Sequence, residues 1–180
     1  SACFVRVLAG LFKKLGMIQY ISCVHPKDMQ DGKIEIVSND ITTILLYVAG
    51  FHLCFGHHAS ELIRRGDQRP YNHIIFENAP AAVRVVYDYY GGQARFPAIS
   101  DDMKEAVDKA DSAQFTQQEI LHPQGWVLLN YLMDSRTGLG RFREFRISNY
   151  QLMMQLIDYC RDHSIEEILQ LPDVKERVEL

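Results

Sequence analysis

The sequence predicts an α/β fold, a parallel-sheet core flanked by helices with a helical C-terminal half. Short β-branched and aromatic runs alternate with turn or helical segments over the first half of the chain, as in parallel sheets. From residue 80 onward apolar residues recur at helical spacing between capping and terminating residues. The 180 residues, 47% hydrophobic and 23% charged, suffice for one domain with a sizeable core.

Residues 1–16 carry Phe4, Val7, Leu8, Leu11, Phe12 and Leu15 at helical spacing, closed by Gly16. Residues 17–24 read as a buried strand, residues 25–32 as a turn-rich stretch, and residues 33–37 as a second strand. Ser38, Asn39 and Asp40 end that strand with side chains suited to loops and caps. Residues 51–55 form a third strand that stops at Gly56-His57-His58. Helices follow over 80–90, with proline in the first turn and Gly91-Gly92 beyond the end, and over 101–115, with an acidic first turn. Further helices are expected over 125–134, 148–161 and 164–171, and this helical half is expected to cover one face of the sheet.

A net charge of -4 argues against a general nucleic-acid coat, which needs a strong basic excess. It leaves room for a small phosphorylated ligand held by a local cluster of arginines. The longest apolar run, 41–55, is broken by threonines, a glycine and His52, so no membrane span is expected. Cys3, Cys23, Cys54 and Cys160 form no CxxC pair and read as small core residues in a reducing, cytoplasmic setting. The apolar helix at the start and the helical turns over 172–180 read as a domain cut at both ends.

The adjacent histidines His57 and His58 follow a strand directly, where parallel sheets place their ligands. One imidazole can take a divalent metal while its neighbour donates a proton to phosphate oxygens; two loop histidines are the plain alternative. Asp40 also sits at a strand-to-loop junction, as a metal ligand or as a helix cap. Asp108 and Asp111 share a helix face, which serves a metal or simply faces solvent. Arg136, Arg141, Arg143 and Arg146, and likewise Arg64, Arg65 and Arg69, either hold a phosphate or carboxylate or line charged loops.

In order, the runs Asn39-Asp-Ile-Thr-Thr43, Phe55-Gly-His-His-Ala-Ser-Glu61 and Asp108-Lys-Ala-Asp-Ser112 resemble the second, third and fourth motifs of the Asp-His-His phosphoesterases. His25-Pro-Lys-Asp28 and Phe76-Glu-Asn-Ala-Pro-Ala-Ala82 extend the resemblance over nearly the whole chain, towards the exopolyphosphatase-related branch. It implies manganese or magnesium bound by Asp40, His57 and Asp111, with Asp40 bridging two ions and His58 near the substrate phosphate. The implied reaction is in-line attack of a metal-activated water on phosphorus. Two departures stand out. Gly56 replaces the signature aspartate, and neither the motif-one strand nor the C-terminal substrate-binding domain of the family lies within residues 1–180, read as a single catalytic domain. Two readings follow. One is a phosphohydrolase acting on polyphosphate, short oligonucleotides or nucleotide phosphates. The other is a non-catalytic remnant that binds a phosphorylated small molecule or a protein partner.

Overall fold

A computed structural model describes residues 24, 26–58, 60, 61, 63, 66, 68, 70–97, 99–134 and 144–179. The helix expected over 1–16 and all but the last residue of the strand expected over 17–24 lie outside them. Contacts divide the chain into two compact units, whose described parts run from residue 24 to 96 and from 97 to 179.

The first unit holds a parallel three-stranded sheet in the order β1 (Ile41–Thr43), β2 (Leu53–Gly56), β3 (His73–Ile75). Ile41 pairs with Leu53 and Cys54 with His73, so β2 is central. Cys54 and Phe55 have no solvent exposure. Helix α2 (Ala82–Tyr89) packs on β2 through a face rich in buried residues, Ala82, Val83, Val85 and Val86. Its aromatic end closes over the strand, with the Tyr89 ring edge-on to Phe55 at 5.2 Å. A parallel sheet with flanking helices is thus the architecture of this unit.

Local chemistry moved several expected boundaries. Residues 33–37 do not form a strand. Asp40 Oδ2 accepts the Val37 N–H at 2.9 Å and the Asp40 N–H donates to Val37 O at 2.9 Å, closing a turn just before β1. Within the stretch expected as turns, Pro26–Gln30 forms a short helix, α1, opened by a proline whose missing N–H costs nothing there. Strand β3 had no counterpart in the expected elements, since three residues are too few to show a period.

The second unit is helical. Helix α3 (Gly92–Arg95) ends the first unit, and α4 (Asp101–Ser112), α5 (Gln117–Leu121), α6 (Gly125–Met133), α7 (Asn149–Asp162), α8 (Ile165–Leu169) and α9 (Pro172–Val178) make up the second. Helix α4 stops three residues short of the expected end because Ala113 turns left-handed at φ 56° and its N–H donates to Lys109 O. Thr116, Ser148 and Ser164 each cap the following helix in a reciprocal box with Glu119, Gln151 and Glu167. Leu152, Leu156, Ile168 and Val174 are wholly or almost wholly buried, and α8 touches α6, α7 and α9.

Leu156→Ala should destabilise the protein by about 2–5 kcal/mol, read from urea unfolding, because it empties a fully buried site. Tyr71→Ala, at a position 92% exposed, should stay within about 0.5 kcal/mol. Equal effects would show that the core is misplaced.

A second expectation concerns acid. Glu119 accepts a 2.6 Å hydrogen bond from Lys109 and further bonds from Thr116, which lower its carboxyl from 4.5 to about 2. A depressed carboxyl stabilises the fold above its unfolded value. That contribution is lost as pH falls from 4.5 through about 2. Comparing wild type with Glu119→Gln across that window should show the wild type losing its stability advantage; parallel curves would refute the role of this pair.

Candidate functional site

Strand β2 delivers the two histidines. All three strands run the same way, so their carboxyl ends share one edge, and His57 and His58 leave the sheet there. Their rings are 4.0 Å apart and inclined by 40°. His57 is half-buried with Nδ1 closed off from solvent, whereas His58 is exposed. The Glu61 N–H donates to His58 O at 3.0 Å, turning the chain directly after the pair. An exposed imidazole thus stands beside a half-buried one at this edge.

Gly56 is buried, yet space does not demand a glycine. A Cβ there would meet His73 Nε2 at 3.5 Å and Ile75 Cγ1 at 3.8 Å, both ordinary contacts. A longer side chain at position 56 would therefore start beside the His73 imidazole.

His73 belongs to a polar cluster that sequence reasoning missed. Its ring stacks on Tyr47 at 4.6 Å with 5° between the planes. The Tyr47 hydroxyl donates to Asn72 Oδ1 at 3.0 Å, and Asn72 Nδ2 donates to Phe51 O at 2.7 Å. The Cys54 N–H completes the set by donating to Asn72 O at 2.8 Å. Buried polar side chains need such partners, so this cluster fixes how β3 enters the sheet. The available signal was Asn72-His73 placed directly before two isoleucines.

The remaining candidate ligands are Asp40 and Asp111. Asp40 precedes β1 at the amino edge, and its carbonyl accepts the His52 N–H at 2.9 Å. Level with His52, it stands five residues of strand from His57, about 16 Å at ~3.3 Å per residue. The structure therefore does not bring Asp40 and His57 together, and the Asp40 carboxylate is engaged in its turn. Asp111 is exposed on the last turn of α4, in the other unit. Among the described residues no three His, Cys, Asp or Glu side chains are grouped to hold a metal ion.

Of the arginines, Arg64, Arg65, Arg69, Arg136, Arg141 and Arg143 lie outside the described residues. Arg146 grips the protein's own Asp173 with Nε and Nη2 at 2.9 and 2.7 Å, a bidentate bond that takes up its fork. Among the described residues no helix is long and apolar enough to cross a membrane.

No family model matches the chain, and no curated protein matches it. It is similar to a solved structure described as the pGpG-specific phosphodiesterase PggH from Vibrio cholerae, at 58% sequence identity and a TM-score of 0.81. The match covers 98% of this chain and 56% of that one, so the chain spans little more than half the length of that phosphodiesterase.

Gly56→Ala should leave thermal stability within about 0.5 kcal/mol of wild type, because the added methyl meets only ordinary contacts. A loss above about 2 kcal/mol in the melting curve would mean that this backbone requires glycine.

Proposed function

We propose that this chain is a phosphoesterase domain of the Asp-His-His type, acting on the phosphodiester of a short linear oligonucleotide. The observation that carries the reading is the 58% identity to a pGpG-specific phosphodiesterase across 98% of this chain. A dinucleotide is therefore the size of substrate to expect.

His58 is the group assigned to the chemistry. Exposed at the carboxyl edge of the central strand, it is free to hydrogen-bond a phosphate oxygen. Water adds to phosphorus as the bond to the leaving sugar oxygen breaks; His58, when it carries a proton, would give that proton to the departing oxygen, while the added water gives up its own proton to solvent. His57, 4.0 Å away ring to ring, limits how His58 can swing.

The metal part of the reading makes Asp40, His57 and Asp111 ligands of manganese or magnesium, supported by the motif resemblance. As placed, the set does not fit one ion, because Asp40 is held in its turn at the opposite edge from His57. An ion shared by these two residues would require β1 to change its register on β2 as well as the 37–40 turn to open. A second reading, a non-catalytic remnant that binds a phosphorylated ligand or a protein partner, is favoured by Gly56 at the position of the signature aspartate.

Two measurements on the full chain separate these readings. The first follows hydrolysis of pGpG with manganese present; turnover that falls by about 10²–10⁴ in His58→Ala supports the enzyme. No turnover, together with tight binding of pGpG, would establish the remnant instead. The second titrates manganese calorimetrically into wild type, His57→Ala and Asp40→Ala. If Asp40→Ala binds manganese as wild type does while His57→Ala does not, Asp40 leaves the ligand set.

A further inference from the structure

The carboxyl edge that presents the histidines also presents two large apolar side chains, and nothing in the hydrolytic chemistry accounts for them. Thr43 pairs with Phe55 and Gly56 with Ile75, so Ile44 and Phe76 are the first residues beyond the paired parts of β1 and β3 at this edge. Phe76 is 40% exposed and Ile44 41% exposed, whereas Phe55, deeper in the same sheet, has no exposure. Ile44 also sits at φ 73°, a left-handed conformation that a β-branched residue adopts only under strain, with its N–H donating to Phe55 O at 3.0 Å. Strain held at the rim of a ligand-binding edge is where such backbone is usually found.

We infer that Phe76 is the base-stacking residue of this site: a nucleobase lies on its ring while the attached phosphate faces the histidine pair one strand away. The inference rests on the phosphoesterase reading and adds to it how a nucleotide is preferred over other phosphate esters. Neighbouring strands are separated by ~4.8 Å, which brings an aromatic surface at the end of β3 beside an imidazole at the end of β2. An aromatic ring stacks on any base and gains most when it is partly open to solvent, because both faces of the contact then leave water. Ile44, on the far side of Gly56, bounds the same edge with apolar surface and supplies no charge to compete for the phosphate.

The test compares a ligand with a base to one without it, by calorimetric titration of the full chain with guanosine 5′-monophosphate and with ribose 5-phosphate. Wild type should bind the nucleotide more tightly than the sugar phosphate. Phe76→Ala should lower affinity for the nucleotide by roughly tenfold, the scale of one base stacked on an aromatic ring, and leave ribose 5-phosphate unchanged. Phe76→Leu keeps apolar bulk without a ring and should behave like the alanine variant, while Phe76→Tyr should retain binding; circular dichroism verifies that each is folded. Equal affinity of wild type for the two ligands, or nucleotide binding undiminished in folded Phe76→Leu, would overturn the inference while leaving the phosphate site standing. Wild type that binds neither ligand would also overturn the inference, whereas the phosphoesterase reading stands or falls with the turnover of pGpG.

Discussion

Strand β2 is enclosed on every side. It pairs with β1 and β3, carries α2 on its surface, and leaves Cys54 and Phe55 without exposure. Burying a phenylalanine contributes about 1.5–3 kcal/mol, and any slip of one residue would turn that side chain to the opposite face. The strand therefore has one workable register. Because its neighbours run parallel, that register also decides which residues emerge at the carboxyl edge. His57, His58, Ile44 and Phe76 share the edge because Phe55 is locked two residues earlier in β2 and Thr43 and Ile75 pair alongside.

The amino edge is held by different means. Asn72 joins Phe51 O, the Tyr47 hydroxyl and the Cys54 N–H, while the Tyr47 ring lies flat on His73. Such a cluster has little apolar area and depends on each partner being present, since an unsatisfied buried group costs about 1–3 kcal/mol. Asp40 belongs to this edge as well, through its own turn and the His52 N–H. The two edges thus divide their tasks: polar bonds pin the strands at one end, and the other end is left open for chemistry.

In the helical unit Arg146 and Arg177 serve the fold. The Arg177 side chain, 1% exposed, donates to Asp173 O at 2.7 Å and Ile147 O at 2.8 Å, and its guanidinium lies 4.0 Å over the Phe145 ring. Burial pulls its pKa below the ordinary arginine value, and the nearby Glu176 and Asp173 oppose that shift. Arg146 reaches the same helix through Asp173. Residues 144–149 are stapled to α9 in this way, so the described end of the arginine-rich segment is occupied by the protein's own carboxylates and carbonyls.

By itself the sequence determined what depends on local pattern. Helices α2, α4, α6 and α7 follow from apolar spacing with proline, glycine, serine or acidic residues at their ends, and β2 from a compact apolar run halted by Gly56-His57-His58. The histidine pair was legible for the same reason, because a strand end fixes its place whatever the strand pairs with. Tertiary structure decided the rest. Residues 33–37 have the composition of a strand, but a ladder needs a partner, and the Val37–Asp40 hydrogen bonds took that backbone into a turn instead. Strand β3 exists because Asn72 and His73 find Phe51, Tyr47 and Cys54, contacts across about twenty residues that no local period encodes. Whether two distant candidate ligands face one point is likewise a matter of register, and register put Asp40 at the end of the sheet away from His57.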